Sequence, residues 1–181
     1  MFNDEYDPTD DGEGHRKQCI VSETTCLLTI DNPRPFWLEH SNEVHRIARN
    51  AEALMLAYDG TDPKSIDMIR AVKEKLHPHI LGATWPPLAV VATKADRAAE
   101  LGEAWEEGLR PGREFAKELG ASFFTTSAVS GDGVDEAMEE LVTEVLRSRG
   151  VLVKEGAGQG GMMTESQRGG PKKRSKLWCF T

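Results

Sequence analysis

Three short segments hold side chains whose types and spacing could do chemistry. In Thr93-Lys94-Ala95-Asp96 a carboxylate stands two residues past a lysine, directly after an apolar run. A carboxylate can accept two hydrogen bonds at once from an amidine-like edge such as that of guanine. A lysine stem can lie along a base or ribose face. Ser127-Ala128-Val129 follows a second β-prone run, and its small residues would let backbone N–H groups approach a carbonyl oxygen. Tyr6-Asp7-Pro8-Thr9 lies in an acidic stretch, where the Thr9 hydroxyl could serve a hard cation such as Mg²⁺. Taken singly, the three also read as a solvated loop, as turn material and as a disordered acidic leader.

The elements that must position these segments follow from pattern. Lys17–Val21 and Thr25–Ile30 are short, apolar and β-prone, and Ser22, Glu23 and Thr24 between them predict a hairpin. The two prolines of Asp31-Asn32-Pro33-Arg34-Pro35 end the second strand. Residues 36–50 predict an irregular, partly helical stretch. Ala53–Tyr58 is a continuous apolar run, the pattern of a strand covered on both faces. Asp62 reads as an N-cap with Pro63 at the first helical position, opening a helix to about Leu76. Pro87–Ala92 and Ser122–Thr126 predict two further strands. Residues 98–119 are helical in pattern, with an interruption expected near Pro111-Gly112 and an end at Gly120. The last helix is expected over 133–149, with Val134, Met138, Leu141, Val142, Val145 and Leu146 on its core side. This alternation implies an α/β protein, a mostly parallel sheet with helices on both faces. In such sheets ligands bind beyond the carboxyl ends of the strands, where the chemical segments fall.

Acidic residues outnumber basic ones by 30 to 22 across 181 residues, for a net charge of −8. That balance argues against a general nucleic-acid binder. No apolar run reaches the ~18 residues of a membrane-spanning helix. Met1–Glu13 carries six acids and no base, the reverse of a signal peptide's start. Three cysteines are too few and too odd in number for a disulfide scaffold, and they point to a reducing cytosol. Cys19 and Cys26, on the expected hairpin, read as small buried apolar residues. His77-Pro78-His79 has ligand-like spacing but no Cys or acidic partner nearby, so it reads against a zinc site. From Gly150 to Gly170 there are seven glycines and almost no periodicity, the composition of a flexible linker. Beyond it Lys172, Lys173, Arg174 and Lys176 put four bases and no acid into the last eleven residues, leaving an acidic body.

The order of the segments matters more than any one of them. Phe2–Thr9 with His15–Gln18 resembles the first switch of Ras-family small GTPases. Glu23–Leu28 resembles the hairpin that follows it, and Arg49–Ala53 the lead into the next strand. Thr93-Lys94-Ala95-Asp96 looks like the guanine-specificity motif, and Thr126-Ser127-Ala128 like the second guanine loop. The resemblance covers residues 2–149 in one unbroken order. It implies a P-loop NTPase-like, Ras-type fold and a GTP-binding signalling switch with GTP or GDP and Mg²⁺ as cofactors. Thr9 would ligate Mg²⁺, and Asp31 would support it through water. Lys94 and Asp96 would hold guanine, Thr93 and Ser127 belong to the same loops, and Ala128 would give its N–H to the base oxygen. Tyr6, Asp7, Pro8 and Thr9 would form the loop that meets effector and regulator proteins.

Departures from the family are equally specific. No GxxxxGK[ST] occurs in these 181 residues. That loop's backbone N–H groups and lysine cradle phosphates, and its Ser/Thr holds Mg²⁺. Gly156–Gly161 lacks the lysine and follows no strand. Against the family, the first strand and first helix are missing, and that strand belongs in the middle of the sheet, between the hairpin and the rest. Its loss would leave two interior edges with unpaired N–H and C=O groups, so the chain must repair the gap with another element or be marginally stable. In the second switch, Arg34 stands where the family has its phosphate-binding glycine and Pro35 where it has the water-orienting glutamine. Val129 replaces the usual lysine of the guanine loop. No residue is therefore given a catalytic role, and impaired binding and lost hydrolysis are expected.

Two functions from different classes follow: a Ras-like switch at a membrane, and a pseudo-GTPase that presents its first-switch loop to partners. A truncated form of an intact GTPase is a third reading. The domain is placed at 1–149, with 150–181 as linker and polybasic tail. Lys172, Lys173, Arg174 and Lys176 are expected to draw the tail to an anionic leaflet at about 1 kcal/mol each, placing the protein in the cytoplasm or at the cytoplasmic face of the plasma membrane. Cys179 is third from the end, whereas prenylation needs a cysteine in fourth place, so palmitoylation or insertion of Trp178 and Phe180 is the remaining route.

Overall fold

A computed structural model describes residues 15–32, 41–80, 84–152 and 173–180. The hairpin forms as expected, β1 (His15–Val21) pairing antiparallel with β2 (Thr24–Asp31). Its turn is one residue tighter than predicted. Ser22 and Glu23 alone make it, with φ of 46° and 62°, and Thr24 already pairs with Val21. Two successive positive φ values match the right-handed twist of the flanking strands.

Helix α1 (Ser41–Asn50) lies within the stretch expected to be partly helical, and 33–40 lie outside the described residues. Strand β3 (Ala53–Asp59) is buried on both faces, because its residues alternate between two cores. Leu54, Leu56 and Tyr58 pack with α1, α2 (Ile66–Leu76) and α4 (Glu103–Leu119). Ala53, Met55 and Ala57 pack with the hairpin and α5 (Val134–Ser148). Asp62 caps as predicted: its carboxylate accepts from Lys64 N–H at 3.0 Å, opening a short 3₁₀ turn at Pro63–Ser65 that leads into α2.

Strand β4 (Leu88–Thr93) and β5 (Ser122–Thr125) extend the sheet in parallel. The helical stretch between them breaks at Gly102, not at Pro111-Gly112. Gly102, at φ 54° and ψ −118°, separates α3 (Ala98–Leu101) from α4, and α4 continues straight through Pro111. Packing overrides the proline here. A Cβ at Gly108 would stand 2.2 Å from the Gly60 carbonyl, and one at Gly112 2.2 Å from the Tyr58 hydroxyl, so two glycines let α4 lie directly on β3. The buried Tyr58 hydroxyl donates to the Gly108 carbonyl at 3.2 Å, serving an acceptor in the turn that the proline ring disturbs. At Gly120, φ 64°, α4 ends; Ala121 N–H reaches back to the Ala116 carbonyl at 2.9 Å, a Schellman closure. Met138, Leu141, Val142, Val145 and Leu146 of α5 are buried as its stripe predicts.

The largest correction concerns the carboxyl-terminal segment. Residues Lys173–Phe180 are not a free tail but a strand, β6, in the middle of the six-stranded sheet, whose order is β1-β2-β6-β3-β4-β5. β6 runs parallel to both neighbours: Lys173–Trp178 lie opposite Cys26–Asp31, and Leu177–Phe180 opposite Ala53–Leu56. Among the described residues β2 and β3 are joined by no other ladder, so β6 alone makes one sheet out of a hairpin and a three-stranded sheet. This is the position the resemblance assigns to the missing first strand. The interior edges left open there carry unpaired backbone groups, and a strand from the far end of the sequence satisfies them. Lys173, Arg174, Lys176 and Cys179 are thus strand residues; Lys172 lies outside the described residues.

Candidate functional site: a base-recognition edge

Strands β2 to β6 are parallel, so Asp31, Asp59, Thr93 and Thr125, the last residues of β2 to β5 other than β6, share one edge of the sheet. After β4 the chain turns sharply. Lys94 takes a left-handed conformation, φ 66° and ψ 35°, before the 3₁₀ turn Ala95–Arg97. A non-glycine residue there is strained and is characteristic of functional loops. The surroundings hold it. The Thr93 hydroxyl donates to the Tyr58 carbonyl at 3.0 Å, Gly60 N–H to the Thr93 carbonyl at 3.1 Å, and Ala95 N–H to the Thr126 carbonyl at 3.0 Å. Thr93 therefore pins the loop to β3 by its side chain.

Ser127 is the hub of the next loop. It is fully buried, and its hydroxyl donates to Asp96 Oδ1 at 2.6 Å while accepting from the Val129 and Ser130 N–H groups at 3.2 Å. Its own N–H goes to the Asp132 carbonyl at 2.9 Å, and its carbonyl takes Gly131 N–H at 2.8 Å. The buried hydroxyl so fixes an exposed carboxylate. Asp96 Oδ2 and the Ala128 N–H have no hydrogen-bond partner among the described residues. Guanine would present to these groups two donors on one edge and a carbonyl oxygen beside them.

Lys94 has a partner that sequence reading missed. Its ammonium lies 2.6 Å from Asp59 Oδ2, and Asp59 Oδ1 accepts from the Thr61 N–H at 2.9 Å and hydroxyl at 2.7 Å. Burial pushes the Asp59 carboxyl up, but hydrogen bonds from Lys94 and Thr61 outweigh it and hold the group below the ordinary carboxylate range. A signal was present in the sequence: Asp59 ends the apolar run 53–58 at the edge where ligands bind. Arg97 is engaged by Glu100 at 3.0 Å, and its charge is reinforced first by that carboxylate and then by Asp96 and Asp59.

The residues expected to read a base thus come together, Lys94 and Asp96 from one loop and Ser127 and Ala128 from the next. Asp31 is the last residue of β2, opposite Trp178 in register. Tyr6, Asp7, Pro8 and Thr9 lie outside the described residues, as do Arg34 and Pro35. No group of three or more His, Cys, Asp or Glu that could hold a metal ion occurs among the described residues.

A parallel α/β sheet with a lysine–carboxylate loop after one strand, tied by a buried serine to the loop after the next, defines a small-GTPase domain with a P-loop NTPase-like fold. The Ras family model matches residues 1–147, and the chain belongs to the Ras family. Members of that family generally bind GTP or GDP with Mg²⁺ and meet effectors and regulators. Against that requirement the residues here divide. The base half fits: carboxylate, N–H donor and lysine stem are assembled. The phosphate half does not. No GxxxxGK[ST] occurs in the 181 residues, β6 fills the sheet position that precedes that loop in the family, and Lys94 is held by Asp59.

Proposed function

We propose that the chain is a Ras-like signalling domain that keeps guanine recognition while its nucleotide binding and hydrolysis are impaired. The observation that carries this reading is the Ser127–Asp96 hydrogen bond of 2.6 Å, which holds the carboxylate expected to read the base, in a sequence without GxxxxGK[ST]. Guanine contacts without phosphate contacts forfeit most of the family's affinity, since charge-assisted phosphate bonds are the strong ones. Pro35 in place of the water-orienting glutamine supports lost hydrolysis.

Calorimetric titration with GDP·Mg²⁺ and a GTP turnover assay test it. Binding weaker than about micromolar, and turnover no greater than in a Lys94→Ala/Asp96→Ala double variant, are expected. Tight binding or turnover above that variant contradicts the impairment.

A second reading, a pseudo-GTPase acting as an interaction module through Tyr6–Thr9, is favoured by one observation. Lys94 pairs with Asp59 and Ser127 with Asp96, so the lysine and one oxygen of the Asp96 carboxylate are engaged without a ligand. Its acidic first-switch segment suits a basic partner surface. Absence of any guanine-ligand binding, with partner capture abolished by Asp7→Lys, would select it.

A further inference from the structure

We propose that His45 and His79 form a two-imidazole site for a nitrogen-preferring divalent transition ion, of the class of Ni²⁺, Cu²⁺ and Zn²⁺.

The two residues come from separate elements. His45 stands on α1, and His79 closes the 3₁₀ turn His77–His79 that follows α2. Their rings meet edge to face, with centroids 4.1 Å apart and planes at 64°. The sequence spacing of His77 and His79 suggests a different pair. In the structure the His77 ring lies beside Trp85, with centroids 6.0 Å apart, and the neighbour of His79 is a histidine of another helix.

One core holds both backbones in place. Val44 and Ile47, on either side of His45, are buried in the same cluster as Leu76, which precedes the turn, and Ile80, which follows His79, packs against that cluster. Pro78 fixes φ between the two histidines of the turn. The two imidazoles thus project from a fixed scaffold, and with His45 exposed and His79 half-buried they are open to ions from solvent.

Neutral imidazole is a favoured ligand of nickel, copper and zinc. With metal–nitrogen bonds of about 2.0–2.1 Å, one ion spans two ring nitrogens about 3 Å apart. Rings with centroids at 4.1 Å reach that separation by rotating about their own side-chain bonds. Water completes the coordination shell, because no third His, Cys, Asp or Glu joins the pair among the described residues. Hard ions such as Mg²⁺ and Ca²⁺ take oxygen ligands and gain nothing from such a pair. A bound transition ion clips α1 to the end of α2 and stabilises the folded chain by mass action.

Calorimetric titration of the full chain with Ni²⁺, in excess Mg²⁺, tests the site. One equivalent of Ni²⁺ is expected to bind with a Kd on the order of 10–100 µM. In folded His45→Ala and His79→Ala the affinity should fall at least about tenfold, whereas His77→Ala should change it less than about threefold. Of the five histidines, His45 and His79 should be the first whose imidazole proton resonances broaden as paramagnetic Ni²⁺ is added. Ni²⁺ should also raise the Tm of the parent and not that of the His45→Ala/His79→Ala double variant. Affinity unchanged in either single variant assigns the ion to other ligands and overturns the proposal. So does an equal loss in His77→Ala, or displacement of Ni²⁺ by Mg²⁺. Absence of Ni²⁺ binding overturns it as well and leaves the pair an edge-to-face ring contact only.

Discussion

Ser127, fully buried, donates a hydrogen bond of 2.6 Å to the exposed carboxylate of Asp96 across 31 residues of chain. A hydroxyl that also accepts from two backbone N–H groups makes the two loops one rigid unit. Ser127→Ala removes the donor and leaves the Val129 and Ser130 N–H groups without their acceptor. We expect a loss of about 1–3 kcal/mol in a denaturant titration.

The carboxyl-terminal strand carries a graded expectation. Leu177 is paired on both sides, with Ile30 and Ala53, whereas Lys173 is paired with Cys26 only. Proline removes an N–H and is tolerated at strand starts far better than in strand interiors. Leu177→Pro should therefore cost several times what Lys173→Pro costs, about 3 kcal/mol against about 1 kcal/mol, read from urea midpoints. Equal and negligible effects would contradict an interior strand.

The approach of α4 to β3 predicts that small residues there are indispensable. Gly108→Ala places a methyl 2.2 Å from the Gly60 carbonyl, a backbone atom that cannot swing aside. Gly112→Ala meets the Tyr58 hydroxyl at the same distance. Each should destabilise by about 1–3 kcal/mol, visible as a lower Tm. Gly120→Ala, at φ 64° but with open space around it, should lose only the smaller cost of a left-handed residue.

Asp59 gives a pH dependence of definite sign. Its folded carboxyl lies below the ordinary value, so its contribution to stability is complete above the unfolded pKa near 4 and is lost as pH falls through the lower folded value. Asp59→Asn should flatten the stability profile below about pH 4 and leave neutral pH behaviour parallel to the parent's. A profile steeper in the variant than in the parent would reverse the assignment.

Tyr58 behaves oppositely. Burial pushes its phenol up to about 12. Its contribution is complete below the ordinary phenol value near 10 and is lost as pH rises through about 12. In Tyr6→Phe, which leaves Tyr58 as the one tyrosine, phenolate absorbance should stay absent at pH 10 and arise near 12, together with unfolding.

What the residues announced and what they concealed divides along physical lines. Continuous apolar runs and helical stripes are local patterns, so the hairpin, β3 to β5 and α5 were legible, as was the Asp62 cap. The uninterrupted passage of α4 through Pro111 was not, since it depends on Tyr58 and Gly60 some fifty residues away. That the segments after β4 and β5 lie side by side at one sheet edge was legible from their order, but the anchor of Lys94 was not, because an ion pair between two strand ends has no sequence period. β6 was the most concealed. Lys173-Arg174-Ser175-Lys176 has the charge of a solvated tail, and only Leu177–Phe180 has the composition of a strand. Its place is set by the two open edges of β2 and β3, a demand that arises only once the rest of the sheet exists.

The proposed impairment of nucleotide binding rests on β6 occupying the sheet between β2 and β3. Amide hydrogen exchange of the full chain, read residue by residue, tests that most directly. The account predicts that Leu177 and Trp178, paired on both sides, exchange as slowly as Leu54 and Val90 and lose protection with them on unfolding. Exchange of 173–180 at the rate of an unstructured peptide, with β3 and β4 still protected, would contradict it.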